Sequence, residues 1–193
     1  EAGIPVFTID RSTAGGTVVS HIASDNVAGG RMAGEFLAET LNKSGKVVEL
    51  QGIPGTSAAQ ARGEGFNAAI ATYEDVEIVV SEVANFDANE AKTIFAQILA
   101  DNAEIDGVFA HNDNMILAAL EAAKEADRAD EIVFVGFDAI EAAIEAVEAG
   151  DLDATIAQQP AEMGRIGVEA ALAYLNGEEV EAEIPVDLAL ITN

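Results

Sequence analysis

Along the chain, short runs of β-branched and other apolar residues alternate with longer stretches in which apolar positions recur every third or fourth residue. The runs at residues 4–9, 17–22, 46–51, 76–83, 107–110, 132–137, 154–157 and 186–191 predict strands. Several are almost continuously apolar, as strands covered on both faces are. Between them, Ala91, Ile94, Phe95, Ile98 and Leu99 fall at i, i+3, i+4, i+7 and i+8, which lines one face of a helix. After Pro160 the stripe returns in Met163, Ile166, Gly167, Ala170, Ala171 and Tyr174, with Gly177 as the expected C-cap. The acidic stretch 141–151 predicts a helix with a solvated face. Strands alternating with helices imply crossover units, hence an α/β fold with a doubly wound parallel sheet. Residues 4–9 and 17–22 break the rhythm, because the segment joining them has no room for the crossover helix that a parallel pair needs. They are expected to belong to a unit that is incomplete in this chain.

Open α/β sheets bind ligands at the carboxyl ends of their strands, so the polar side chains just beyond each strand carry the functional information. Asp10 and Arg11 follow the first run, Phe86 and Asp87 the fourth, and Asn112 and Asp113 the fifth; Asp138 and Gln158 close two later ones. A carboxylate and an amide exchange hydrogen bonds with neighbouring hydroxyls, an arginine offers a planar fork of donors, and a phenylalanine presents a flat apolar face. That set suits a neutral polyol such as a sugar. Each residue also has a structural reading: Asn112 and Asp138 as helix caps, Asp10 with Arg11 as a turn bearing a surface ion pair, Gln158 as a loop amide, Phe86 as rim packing.

Charge narrows the partners. With 35 acidic and 9 basic residues the chain carries a formal charge of −26, which repels phosphate backbones and anionic lipid and argues against nucleic acid. The acidity is spread over the whole length, a pattern expected of a protein adapted to high salt, where screening relieves self-repulsion. Half the residues are apolar, enough for a core and too many for intrinsic disorder. No run reaches bilayer length, and the first ten residues lack the basic start and apolar block of a signal peptide. The absence of cysteine removes disulfides and thiolate chemistry. The turn at residues 52–57 lacks a P-loop lysine, Gly63-Glu64-Gly65 lies in a helical stretch rather than after a strand, and no G-x-S-x-G elbow occurs. His21 and His111 have no metal-ligand spacing and are expected to be structural; no metal or cofactor is implied. Asn42-Lys43-Ser44 has the form of a glycosylation acceptor.

The ordered motifs Ile4-Pro5-Val6 to Asp10-Arg11, Ser20-His21-Ile22-Ala23-Ser24-Asp25-Asn26, Glu49-Leu50-Gln51-Gly52, Arg62-Gly63-Glu64-Gly65-Phe66, Phe109-Ala110-His111-Asn112-Asp113, Val135-Gly136-Phe137-Asp138, Ala154-Thr155-Ile156-Ala157-Gln158 and Pro185-Val186-Asp187-Leu188 resemble the sugar-binding proteins of ABC importers, in particular the ribose-binding type of the periplasmic binding protein family. The resemblance covers nearly the whole chain. It implies a type I fold of two lobes joined by three strand crossings, with residues 25–158 and 187–193 forming the C-terminal sugar-binding lobe. Residues 1–24 and 159–186 would be a remnant of the other lobe, and roughly a hundred residues would precede Glu1 in a two-lobed parent. It maps sugar contacts onto Asp10, Arg11, Arg62, Phe86, Asn112, Asp138 and Gln158. His111 and Ala139 stand where ribose binders usually carry glutamine and glycine.

What the resemblance implies in function is an extracytoplasmic binding component for D-ribose or a similar monosaccharide, which closes on its ligand and docks on a membrane permease, without catalysis. Exposed apolar faces of the first-lobe pieces would favour self-association, with a homodimer as the expected form. Two rivals remain: the effector core of a lactose-repressor-type regulator, which shares the fold, and an α/β enzyme acting on a sugar or sugar phosphate with Asp10 or Asp138 as general base.

Overall fold

The computed structural model describes residues 3–102 and 104–193. In chain order its strands are β1 (Phe7–Ile9), β2 (Ser20–Ser24), β3 (Ser44–Gln51), β4 (Asp75–Val83), β5 (Gly107–Ala110), β6 (Val133–Asp138), β7 (Ala154–Ala157), β8 (Glu183–Val186) and β9 (Ala189–Thr192). The helices are α1 (Asn26–Thr40), α2 (Ser57–Ile70), α3 (Ala88–Asp101), α4 (Asp113–Glu125), α5 (Glu141–Ala149) and α6 (Pro160–Leu175).

Two sheets result. The larger has the order β4-β3-β5-β6-β7-β9, parallel throughout except for the β7–β9 pair. Side chains alternate across a strand, so neighbouring residues feed opposite cores. Val48, Val108 and Phe134 pack with Phe95, Ile98, Met115 and Ile116 on the side of α3, α4 and α5. Val47, Phe109 and Val135 pack with Leu37 and Phe66 on the side of α1 and α2. That double coverage is why these strands read as continuous apolar runs. On the second face α1 and α2 touch backbone to backbone: a Cβ on Gly30 would lie 2.0 Å from the Arg62 carbonyl oxygen, and one on Gly65 would lie 2.0 Å from that of Val27. No other residue allows this approach, and it fixes Arg62 beside the start of α1.

The smaller sheet has the order β1-β2-β8, all parallel. Its buried core is Ile22, Met163 and Val186, supported by Ile166 and Ile184, and among the described residues α6 alone covers it. The parallel pairing of β1 with β2 corrects the premise that such a pair needs a crossover helix. Residues 10–19 carry no helix and reach instead toward the larger sheet, where the Ser12 amide donates to Ser57 Oγ at 3.1 Å.

The expected single strand at 186–191 is also corrected. The chain leaves β8 at Val186, changes sheet at Asp187 and Leu188, and enters β9, so one apolar run serves two sheets. The same transfer occurs at Asp25 and at Gln158–Gln159, and the passages lie side by side. The Asp25 amide donates to the Val186 carbonyl at 3.0 Å, and Gln159 Nε2 donates to the Asp187 carbonyl at 2.9 Å.

Candidate functional site

The carboxyl ends of β1, β5, β6 and β7 converge with the first turns of α2 on a cavity of about 190 Å³, lined by Asp10, Arg11, Ala58, Arg62, Phe86, Asn112, Asp138 and Gln158. All seven residues onto which the resemblance maps sugar contacts therefore border one space, whereas Asp87 and Asp113, which also follow strands, do not. Its volume is below the range of about 300–1,000 Å³ that drug-sized ligands occupy, and suits a smaller molecule. Two carboxylates face two guanidiniums, which favours an uncharged ligand.

Arg62 anchors the network. It lies on α2 with 4% of its side chain exposed, its guanidinium stacked 3.7 Å from the centre of the Phe137 ring. Nε donates to Asn26 Oδ1 at 2.8 Å and Nη1 to the His111 carbonyl at 2.5 Å. Nη1 also lies 3.3 Å from Asp138 Oδ1. Burial pulls the guanidinium down from its ordinary value, while Asp138 and Asp10 oppose the shift; arginine stays charged regardless. The same Asp138 oxygen accepts from Gln158 Nε2 at 2.6 Å, and Gln158 Oε1 accepts from Ser24 Oγ at 2.7 Å. Burial raises the Asp138 carboxyl, and Arg62 and Gln158 counter it.

Three of the seven residues have left-handed backbone: Asp10 at φ 72°, Phe86 at 59° and Asp138 at 117°. Such conformations are costly for residues other than glycine and gather at functional sites. The Phe86 ring rests on the Gly52 backbone, where a Cβ would come within 2.1 Å of it, and the Arg11 guanidinium sits 5.5 Å from its centre. Ala139 is left-handed as well, at φ 53°, which accounts for a preference for glycine at that position.

The structural readings divide. Asn112 does cap α4, accepting the Met115 amide at 3.0 Å through Oδ1, which leaves Nδ2 for a ligand. Asp10 and Arg11 do form an exposed pair at 3.6 Å. Asp138 is not a cap: the N-cap of α5 is Ile140, without a side-chain bond of its own. Asp87 caps α3 through the Asn89 and Glu90 amides and does not border the cavity. His111 is buried; its Nδ1 accepts the Gly52 amide at 3.2 Å, so its Nε2 carries the proton that Glu49 Oε1 accepts at 3.0 Å. Burial lowers the imidazole, and its bonds lower the Glu49 carboxyl against the effect of burial. His21 bonds Thr8 Oγ1 across β1 and β2 at 2.8 Å.

Asn26 was not among the expected contacts, although it follows β2 as the others follow their strands. It is buried and orients Arg62. A second cavity of about 470 Å³ lies between the sheets, bordered by Asp10, His21, Ser24, Asp25, Asn26, Ser57 and Pro185 among others. It is larger, but no buried charged pair faces it.

A family model described as "Periplasmic binding protein domain" matches residues 1–179. The ribose import binding protein of Haemophilus influenzae is 48% identical over 98% of this chain and 64% of its own length. That of Bacillus subtilis is 42% identical over 98% of this chain and 61% of its own length. An ABC transporter periplasmic solute binding protein from Actinobacillus succinogenes, solved with bound D-allose, superposes with a TM-score of 0.92 at 35% identity, over 99% of this chain and 70% of that one. The chain thus spans less than two thirds of the length of these curated relatives.

Proposed function

As the chain belongs to the periplasmic binding protein family, we propose that it serves a sugar ABC importer by binding D-ribose or a similar monosaccharide. The observation that carries this reading is the electrically balanced cavity bordered by Asp10, Arg11, Arg62, Phe86, Asn112, Asp138 and Gln158. Arg11 and Arg62 would donate to ring and hydroxyl oxygens, Asp10 and Asp138 would each accept from paired hydroxyls, and Asn112 and Gln158 would bind the remainder. Phe86 would cover an apolar C–H face of the ring. A ligand lacking one hydroxyl leaves a buried protein group unpaired, and selectivity follows.

The two sheets correspond in this proposal to two lobes, residues 25–158 with 187–193 and residues 1–24 with 159–186, hinged at the three adjacent passages. The whole protein would work outside the cytoplasm, close on its sugar and deliver it to a permease, making and breaking no covalent bond. The exposed apolar side chains of α6 and β1, including Val168, Leu172, Leu175 and Ile9, support association with a second copy of this chain. The dispersed negative charge supports a high-salt habitat.

Calorimetric titration in molar salt with D-ribose, glucose and galactose tests the reading. Saturable heat with ribose, weakened about a hundredfold by Asp138→Ala, is the expected result. Absence of heat with every sugar, in a chain whose circular dichroism shows it folded, would overturn it for this chain.

A further inference from the structure

Asp113 opens α4 directly after Asn112, yet it does not border the cavity and is wholly buried. Its Oδ2 accepts the Ile140 amide at 2.9 Å and its Oδ1 accepts the Thr155 hydroxyl at 2.7 Å. Thr155 Oγ1 in turn accepts the Ala139 amide at 3.2 Å. One carboxyl and one hydroxyl, brought from α4 and β7, thus hold the two amides that follow Asp138.

Those amides belong to strained backbone at the cavity edge, as do Asn85 and Phe86 across it. Asp138 and Ala139 are consecutive, neither is glycine, and both have positive φ. Such a pair persists only where the surroundings over-determine it. β6 makes room for the device: a Cβ on Gly136 would lie 2.2 Å from Asp113 Oδ1.

We propose that Asp113 and Thr155 are positioning residues that hold the turn at 138–140 so that the Asp138 carboxylate is presented to the ligand, and that Asp113 does so as an anion. The inference rests on the reading of Asp138 as a sugar contact. Both Asp113 oxygens face donors, and a carboxylate, which carries no proton of its own, accepts at both with charge-assisted bonds. A proton on either oxygen would remove that charge and weaken the hold on the turn. The charged groups acting on Asp113 are Asp138, at the end of β6, and Arg62 on α2; α5 and β7 present the uncharged Ile140 amide and Thr155 hydroxyl. Burial, with the Asp138 charge added, pushes the Asp113 carboxyl up to about 6 against these hydrogen bonds. A buried charge that burdens the fold is therefore retained one residue from the cavity wall, where its bonds shape the backbone of a binding residue.

The test uses the full chain in molar salt. Amide chemical shifts of Ala139 and Ile140 are followed by NMR between about pH 4.5 and 8, and D-ribose affinity is measured in parallel. Both amides are expected to titrate together with a midpoint of about 6. The step should persist in Asp138→Asn, moved down by loss of the like charge, and vanish in Asp113→Asn. Thr155→Val should weaken ribose binding about tenfold in a chain that circular dichroism shows folded, and Thr155→Ser should restore it, as one net hydrogen bond is worth about that factor. A step that survives in Asp113→Asn, or ribose binding unchanged in Thr155→Val, overturns the inference. If no chain binds ribose but the amide step depends on Asp113, the hold on the turn stands and the sugar reading falls.

Discussion

The six-stranded sheet is covered on both faces, by α1 and α2 on one side and by α3, α4 and α5 on the other, whereas among the described residues the three-stranded sheet has α6 alone. Both arise from similar apolar runs, yet the larger buries Phe66, Phe95, Phe109, Phe134 and Phe137 completely, and the smaller leaves Ile9, Val168, Leu172 and Leu175 in solvent. Burial scales stability: a fully buried side chain of this size contributes about 1.5–3 kcal/mol. The difference teaches that the larger sheet carries the fold and the buried half of the cavity, while the smaller contributes Asp10 and Arg11 from a partly covered platform.

The sharpest way to break this contrast is truncation of each core. Phe109→Ala should lower unfolding stability by about 4 kcal/mol and Met163→Ala by about 2 kcal/mol, measured by urea denaturation in molar salt. Equal losses would mean that the two sheets share one cooperative core of uniform importance.

A pH dependence should also belong to the larger sheet. The folded pKa of Asp113 is raised to about 6 from an ordinary 3.8, so its protonated form is favoured by folding. Its stabilising contribution is complete below the unfolded value and is lost as pH rises through the folded one. Between about pH 4 and 7 the chain should lose on the order of 3 kcal/mol relative to Asp113→Asn from this group. Parallel stability profiles for the two proteins would refute the assignment.

Within the cavity, Asp138→Ala should weaken ribose binding about a hundredfold and Asp10→Ala about tenfold, because Asp138 sits in a buried network and Asp10 is half exposed. Calorimetry showing the reverse order would shift the dominant contacts to the smaller sheet. The smallest effect on the fold is expected for Leu172→Ser, within about 0.5 kcal/mol, while light scattering should show less association; unchanged association would clear α6 of that role.

Much of this was legible in the chain. The strands at 107–110 and 154–157 were placed to the residue, since short apolar runs there end in polar groups. The run at 186–191 misled because Val186, Leu188 and Leu190 keep the apolar alternation while the backbone changes sheet, and periodicity carries no mark of which sheet a strand joins. The parallel β1–β2 pair departs from the crossover rule because residues 10–19 return the chain as a loop with no helix. Six of the cavity-lining residues were legible from their position just beyond a strand. Arg62 lies inside α2 and came only through resemblance. Asp113 and Thr155 are 42 positions apart, and their bond with the backbone at 139 and 140 exists only once β6, β7 and α4 are assembled.

The seam where Gly30 and Gly65 press against opposing main chain also divides the site into what change can edit and what it cannot. The walls, Phe86, Asn112 and Gln158, are side chains that drift or redesign can exchange for other shapes. The seat of Arg62 is main chain against main chain, with no atom to spare. New ligand preferences on this scaffold should therefore be reached by repainting the walls around an immovable guanidinium, and lineages or libraries that vary the seam should yield misfolded chains rather than altered tastes.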